Sequence, residues 1–197
     1  MQRLGILGGT FDPIHLAHLM LASEAQHQLS LDRVLFIPSS IPPHKKNGTF
    51  ADVQQRLRMT ELAIKVEPAF QVCDIELQRS GPSYSVDTVA AIRTTLAEQD
   101  EVYFIIGWDA FSQLDSWHNP SRLAELCFFA VAGRPGAGDM VHSRYPESCP
   151  PERVYHINTP QFSISSTDIR NRIETGRPYH YMLPEAVYRY IKANGIY

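Results

Sequence analysis

GGTFDPIHLAH, Gly8 to His18, holds the densest set of chemistry-bearing residues in the chain. Gly8 and Gly9 let backbone approach a ligand with no Cβ in the way. Thr10 and the amides that follow it offer donors to phosphate oxygens. His15 and His18 stand at i and i+3, so near the start of a helix they face the same way. The open amides of that helix start add partial positive charge. Together these groups read as a polyphosphate site, with imidazoles as directional donors on a fixed backbone. Singly, each residue has a plainer role: a tight turn for the glycines, surface or capping positions for the histidines. The Gly pair, Thr, Asp-Pro and paired His together are harder to explain by folding needs. Two histidines without a third soft ligand nearby make a poor zinc site. Neither GxxxxGK[ST] nor a GxGxxG after the first strand occurs.

Other polar constellations sit after apolar runs. In ISSTDIR, Ile164 to Arg170, Ser165 and Asp168 have the spacing of a capping box. Arg170 is then either a surface residue or a guanidinium able to bind two phosphate oxygens at once. IPPHKK places Lys45 and Lys46 on a proline-stiffened loop, either solvated or within reach of a phosphate. Gly107 and Asp109 follow the run EVYFIIG, and a carboxylate there serves as a turn residue or accepts from ribose hydroxyls. SYSVDT opens a helix whose Ser85 and Val86 amides can donate. Trp117 suits stacking on a flat ring, or a place in the core. Arg134, in GRPG, comes soon after another apolar run.

These segments need a scaffold that brings them to one side. Apolar runs at Arg3–Gly9, Arg33–Ser40, Phe70–Leu77, Glu101–Gly107, Cys127–Ala132 and Val154–Asn158 read as strands. Helical spacing fills the intervals: Leu16, Leu19, Met20 and Ser23 share one face, residues 51–66 form a second helix, and Tyr84 or Ser85 opens a third. Two helices begin near Ser166 and Pro184. Strands that are runs rather than alternations, with helices between them, predict an α/β fold. The expected form is a doubly wound, mostly parallel sheet with C-terminal helices. Such sheets bind ligands beyond the carboxyl ends of their strands. Residues 133–153, rich in Pro and Gly, read as a variable surface excursion, and 136–151 within it are given no role.

Composition narrows the partners. The 197 residues suffice for one domain with a full core, and are read as one over 1–197. A formal net charge of −3 argues against a nucleic-acid backbone as main partner. Cys73, Cys127 and Cys149 form no CxxC, and the first and second lie in apolar runs. Buried thiols in a reducing cytoplasm fit best. No run is long enough to span a membrane, and the N-terminal apolar run is too short for a signal peptide.

GGTFDPIHLAH resembles the GGTFDPIHxGH signature of bacterial nicotinate-nucleotide adenylyltransferases, within the HxGH nucleotidyltransferase superfamily. FIIGWDAF is similar to that family's "IIGxD", ISSTDIR to its "ISSTxIR", and VYRYIKANGIY to its terminal helix. Ala17 stands where the family usually has Gly, and Trp108 where a smaller residue is usual. The resemblance implies a Rossmann-like nucleotidyltransferase fold. It also implies adenylyl transfer from ATP to nicotinate mononucleotide in NAD biosynthesis. ATP would meet Gly8, Gly9, Thr10, Phe11, His15, His18, Gly107, Asp109, Ser165, Ser166 and Arg170. Of these, Ser165, Ser166 and Arg170 would hold the β and γ phosphates. Nicotinate mononucleotide would meet Lys45, Tyr84, Ser85, Trp117 and Arg134, and His15, His18, Lys45 and Arg170 would be catalytic. Mg²⁺ would be held mainly by substrate phosphates, with no protein metal site. A homo-oligomer is compatible with the sequence. A nicotinamide-nucleotide enzyme and a nucleotide-binding regulatory module without turnover are the alternatives.

Overall fold

Two of the apolar runs become strands with the expected bounds: β1 is Arg3–Gly9 and β4 is Glu101–Gly107. Between and after them run α1 (Leu16–Leu29), β2 (Arg33–Pro38), α2 (Val53–Ile64), β3 (Phe70–Val72) and α3 (Ser85–Arg93). Then come α4 (Trp108–Phe111), α5 (Pro120–Leu126), β5 (Phe128–Ala132), β6 (Val154–Ile157), α6 (Ser166–Glu174) and α7 (Glu185–Asn194). This computed structural model describes residues 1–41, 48–133, 145–160 and 163–197.

The six strands form one sheet in the order β3-β2-β1-β4-β5-β6, the order of doubly wound nucleotide-binding sheets. β1 runs parallel to β4 with Arg3 opposite Glu101 and Ile6 opposite Phe104. β4 is parallel to β5, and β5 to β6. Parallel strands need crossovers, and the helices supply them. Each buried strand therefore carries apolar residues on both faces, which is why runs rather than alternations mark it.

Two compact units make up the chain. The first comprises Met1–Leu7, Leu21–Val34 and Tyr84–Gln161. Its core includes Leu4, Ile6, Val34, Val89, Val102, Ile105, Phe129 and Val131, all buried. The second comprises Gly8–Met20, Leu35–Ser83 and Phe162–Tyr197. Phe11, Ile14, Phe36, Ile37, Met59, Ile169, Val187 and Ile191 are buried there.

Several boundaries move for physical reasons. β3 stops at Val72, because Leu77 donates back to the Asp74 carbonyl at 2.8 Å and closes a turn. α2 starts at Val53, since Asp52 caps it and Gln55 returns the bond to the Asp52 amide. On α1 the buried residues are Ala22 and Ala25, while Ser23 is exposed, so the buried face differs from the Leu16–Ser23 stripe. Residues after 144 are pinned, with the amides of Glu147 and Ser148 donating to the Asp115 carboxylate at 3.0 and 2.9 Å. Cys127 and Cys149 are buried free thiols, and Cys73 is half-buried. Burial pushes the Cys127 thiol up and the Cys149 thiol up to about 11. Among the described residues no helix is long and apolar enough to cross a membrane.

Candidate active site

In the second unit, β1 gives way to a loop held from behind by Arg56. This side chain is 1% exposed, and its guanidinium donates to the carbonyls of Thr10 (2.7 Å), Ser39 (2.8 Å) and Ser40 (3.3 Å). Burial lowers its pKa, and Asp12 works against that shift. The carbonyls of the first loop and of the segment after β2 are thereby tied to one cation on α2. A Cβ on Gly9 would lie 2.8 Å from the Phe11 ring, so any larger residue there must displace that ring. Phe11 itself adopts a positive φ of 50° and is buried. The peptide between Asp12 and Pro13 is cis.

The loop delivers His15 to the start of α1. The His15 carbonyl accepts the amide of His18 at 3.0 Å, which makes His15 the cap residue. The His15 amide in turn donates to Nδ1 of His18 at 3.2 Å. An imidazole thus does what glutamate does in a capping box. That bond leaves Nδ1 of His18 bare, so neutral His18 carries its proton on Nε2. The two rings stack with centroids 3.7 Å apart, and the Phe11 ring meets His18 edge-on at 5.1 Å. Burial lowers His15 to about 4. It also holds His18 well below the usual range, with the neighbouring His15 adding to the effect. Both imidazoles are therefore neutral hydrogen-bond donors at physiological pH, ready to gain charge only beside an anion.

The N-terminus of α6 belongs to the same unit. Ser165 caps it, accepting the Asp168 amide at 3.1 Å. The reciprocal half of the expected capping box is replaced, since Asp168 pairs with Arg172 at 2.7 Å. Ser166 donates its hydroxyl to the Pro13 carbonyl at 2.8 Å, which fastens α6 to the first loop. For an anion Ser166 then offers its first-turn amide rather than its hydroxyl proton. Arg170 donates from Nη1 to the Asp12 carbonyl at 2.6 Å and from Nη2 to Thr167 Oγ1 at 3.3 Å. Its Nε and the Nδ1 of His15 are buried without a protein partner. Buried polar atoms are normally satisfied, so these two leave bonding capacity unused, as do Arg33 Nε, Ser39 Oγ, Arg56 Nε and Ser148 Oγ among the described residues. Gly8, Gly9, Thr10, Phe11, His15, His18, Ser165, Ser166 and Arg170 are thus gathered in one unit. Lys45 lies outside the described residues.

The first unit carries a second group of the expected residues. Gly107 precedes α4, and open space surrounds the position a Cβ would take. Asp109 is exposed one residue into that short helix. Trp108 packs against Phe111 and Tyr145, with centroids 5.8 and 6.3 Å away, which accounts for a large ring at this position. Tyr84 is the cap residue of α3, and Ser85 and Val86 begin its first turn. Trp117 is half-buried with its edge toward Phe104 at 6.1 Å. Arg134 lies outside the described residues.

Sequence reasoning passed over four residues. His118, exposed and next to Trp117 in sequence, stacks on the half-buried Tyr84 at 4.3 Å. The dipeptide Trp117–His118 was the available signal. Asp12, Arg56 and Tyr197 organise the first loop, but their partners lie far off in sequence. Among the described residues no group of three or more His, Cys, Asp or Glu could hold a metal ion.

Comparison with known proteins places this geometry in a family. The cytidylyltransferase-like family model matches residues 6–172. A probable nicotinate-nucleotide adenylyltransferase of Dehalococcoides mccartyi is 40% identical over 197 residues, spanning 99% of this chain and 97% of its own. One of Geobacillus thermodenitrificans is 42% identical, spanning 100% of this chain and 87% of its own. A solved Plasmodium falciparum nicotinic acid mononucleotide adenylyltransferase, complexed with NaAD, shares the fold. Its TM-score is 0.78 at 20% identity, covering 100% of this chain and 97% of its own. The chain belongs to the cytidylyltransferase-like family and, within it, to the nicotinate-nucleotide adenylyltransferases.

Proposed function

We propose that the chain transfers the adenylyl group of ATP to nicotinate mononucleotide. The products are nicotinate adenine dinucleotide and pyrophosphate, a late step of cytoplasmic NAD biosynthesis. The observation that carries this reading is the convergence of the first loop, the His15–His18 stack and the start of α6 with Arg170 in one unit. Relatives bearing that activity in their names, aligned along nearly the whole chain, support the choice of substrates.

An oxygen of the acceptor's 5′-phosphate attacks the α-phosphorus of ATP. A new P–O bond forms, the bond to the oxygen bridging toward the β-phosphate breaks, and pyrophosphate leaves with the electron pair. The attacking phosphate is already ionised at neutral pH, so no strong base is required. Catalysis then consists of alignment and of stabilising charge on the reacting phosphate and the departing pyrophosphate. His15 and His18 donate to the α-phosphate region through their ring N–H groups. The amides of Gly9 and Thr10 cradle phosphate oxygens, with Gly8 and Phe11 shaping that turn. Arg170 and the first-turn amides after Ser165, including that of Ser166, take the β and γ phosphates. Lys45 adds a further cation. Gly107 and Asp109 serve the adenosine ribose. Tyr84, the amides after it including that of Ser85, Trp117 and Arg134 serve the acceptor.

Mg²⁺ favours oxygen ligands in an octahedral shell and keeps much of its water. The imidazole-rich loop offers it no cage, so in this reading the ion arrives with ATP as part of the substrate, neutralising phosphate oxygens.

Pyrophosphate release tests the proposal, with ATP and either nicotinate mononucleotide or nicotinamide mononucleotide. The expected result is one pyrophosphate per nicotinate adenine dinucleotide, with slower turnover on the amide. Faster turnover on the amide would reassign the acceptor. ATP binding with no pyrophosphate from either acceptor would make the chain a nucleotide-binding module.

A further inference from the structure

Tyr197 follows Gly195, whose left-handed conformation (φ 58°) ends α7, and itself adopts a positive φ of 75°. Its hydroxyl donates to Oδ1 of Asp12 at 2.8 Å, across 185 residues of sequence. Asp12 is wholly buried and joins several segments of the second unit. Its Oδ1 also accepts the amide of Ala51, and its Oδ2 the amide of Phe50, both at 3.0 Å. Those two residues lead into Asp52, the cap of α2. The Asp12 carbonyl accepts Nη1 of Arg170 at 2.6 Å. The Arg170 guanidinium carbon sits 4.4 Å from the centre of the Phe50 ring, the residue whose amide Asp12 holds. Asp12 therefore fixes Arg170 twice, directly by its carbonyl and indirectly by seating Phe50 against the guanidinium. His15 is three residues further on. The first loop is thus referenced to α2 through two amides, to α6 through Arg170, and to the end of α7 through one phenol.

We propose that Tyr197 is a positioning residue: by tethering Asp12 it sets where Arg170 and the His15–His18 pair meet the triphosphate. This rests on the function proposed above. Tyr197 touches no reacting atom, so its effect passes through Asp12. The amides of Phe50 and Ala51 anchor the carboxylate to the approach to α2. The phenol ties it to the segment that follows α7, a ten-residue helix with buried Val187 and Ile191. Loss of the phenol bond loosens the carboxylate together with residues 50–51, and Arg170 follows both of its supports.

The test compares Tyr197→Phe with Ile196→Val. The first deletes the hydroxyl and keeps the ring. The second loosens packing at the neighbouring buried Ile196 and keeps the hydroxyl. Two readouts are taken: kcat and KM for ATP, and hydrogen exchange at the amides of Phe50 and Ala51, which needs no substrate. For Tyr197→Phe, kcat is expected to fall about tenfold with KM for ATP changing less, because misplacement of aligned groups costs rate steeply. Exchange at both amides is expected to quicken. For Ile196→Val, Tm falls while kcat and exchange at these amides stay as in the wild type. Wild-type kcat in Tyr197→Phe, an equal loss of kcat in Ile196→Val, or unaltered exchange in Tyr197→Phe would each overturn the proposal. If the wild-type protein forms no dinucleotide, the functional reading fails by itself, and exchange at Phe50 and Ala51 still decides for or against the tether.

Discussion

Acid should destabilise this fold through its histidine pair, and the size of the effect follows from burial. His15 is 5% exposed and its imidazole is lowered to about 4 in the folded protein. In the unfolded chain it returns to the ordinary value of about 6.5. A depressed histidine favours the folded state while it is neutral. As pH falls below 6.5 the unfolded chain takes up a proton that the folded protein refuses, and stability drops until the folded group also titrates near 4. Relative to neutral pH, the loss from His15 comes to about 2 kcal/mol at pH 5 and about 3 kcal/mol at pH 4. For a chain of this size the pH 5 figure corresponds to about 4–8 °C in Tm. His18 shifts in the same direction, because it is buried and stacked on His15. Scanning calorimetry from pH 7.5 to 5 on the protein without nucleotide measures the slope. Carboxylates also contribute to any acid loss, so the comparison is with the His15→Gln/His18→Asn double variant, which lacks both titrations. The wild type should lose several degrees more than the variant across this window. Parallel curves would mean that the imidazoles titrate like exposed ones and that the buried stack is wrong.

Two further outcomes are expected. Gly9→Ala drives a methyl into the buried Phe11 ring, which must move and carry its edge contact with His18 along. Stability should fall by about 1–3 kcal/mol in urea denaturation, with turnover falling in parallel, and an unchanged pair of values would contradict the packing described. His18→Ala should reduce kcat by at least about 10²–10³ while far-UV circular dichroism stays native; wild-type turnover in a folded variant would remove His18 from the chemistry.

The strands were legible because a two-sided buried sheet demands apolar runs, and RLGILGG and EVYFIIG meet that demand without help from neighbours. The first loop was legible as a strand-to-helix junction because its glycines end an apolar run and helical spacing begins just after the first histidine, and it does lie between β1 and α1. Other features escaped because they depend on partners far away in sequence. FQVCDIEL has the composition of a strand, yet β3 ends at Val72, the Cys73 amide makes one more bond to Phe36, and a turn from Asp74 takes the rest. Asp12 reads as part of a turn until Phe50, Ala51 and Tyr197 are seen around its carboxylate. Arg56 looks like a surface cation of an amphipathic helix, and only the carbonyls of Thr10, Ser39 and Ser40 explain its burial. The large ring of Trp108, where the resemblance leads one to expect a smaller residue, is explained by Phe111 and the distant Tyr145 beside it.

The bond from the His15 amide to the His18 ring has a practical side for anyone wishing to trap the protein with its substrates. An inactivated form should keep an acceptor where Nδ1 now sits, or the start of α1 will fray and blur the comparison with the living catalyst. Asparagine places an oxygen near that point and lacks the outward N–H, so His18→Asn is a better decoy than the alanine form for crystallising a stalled complex.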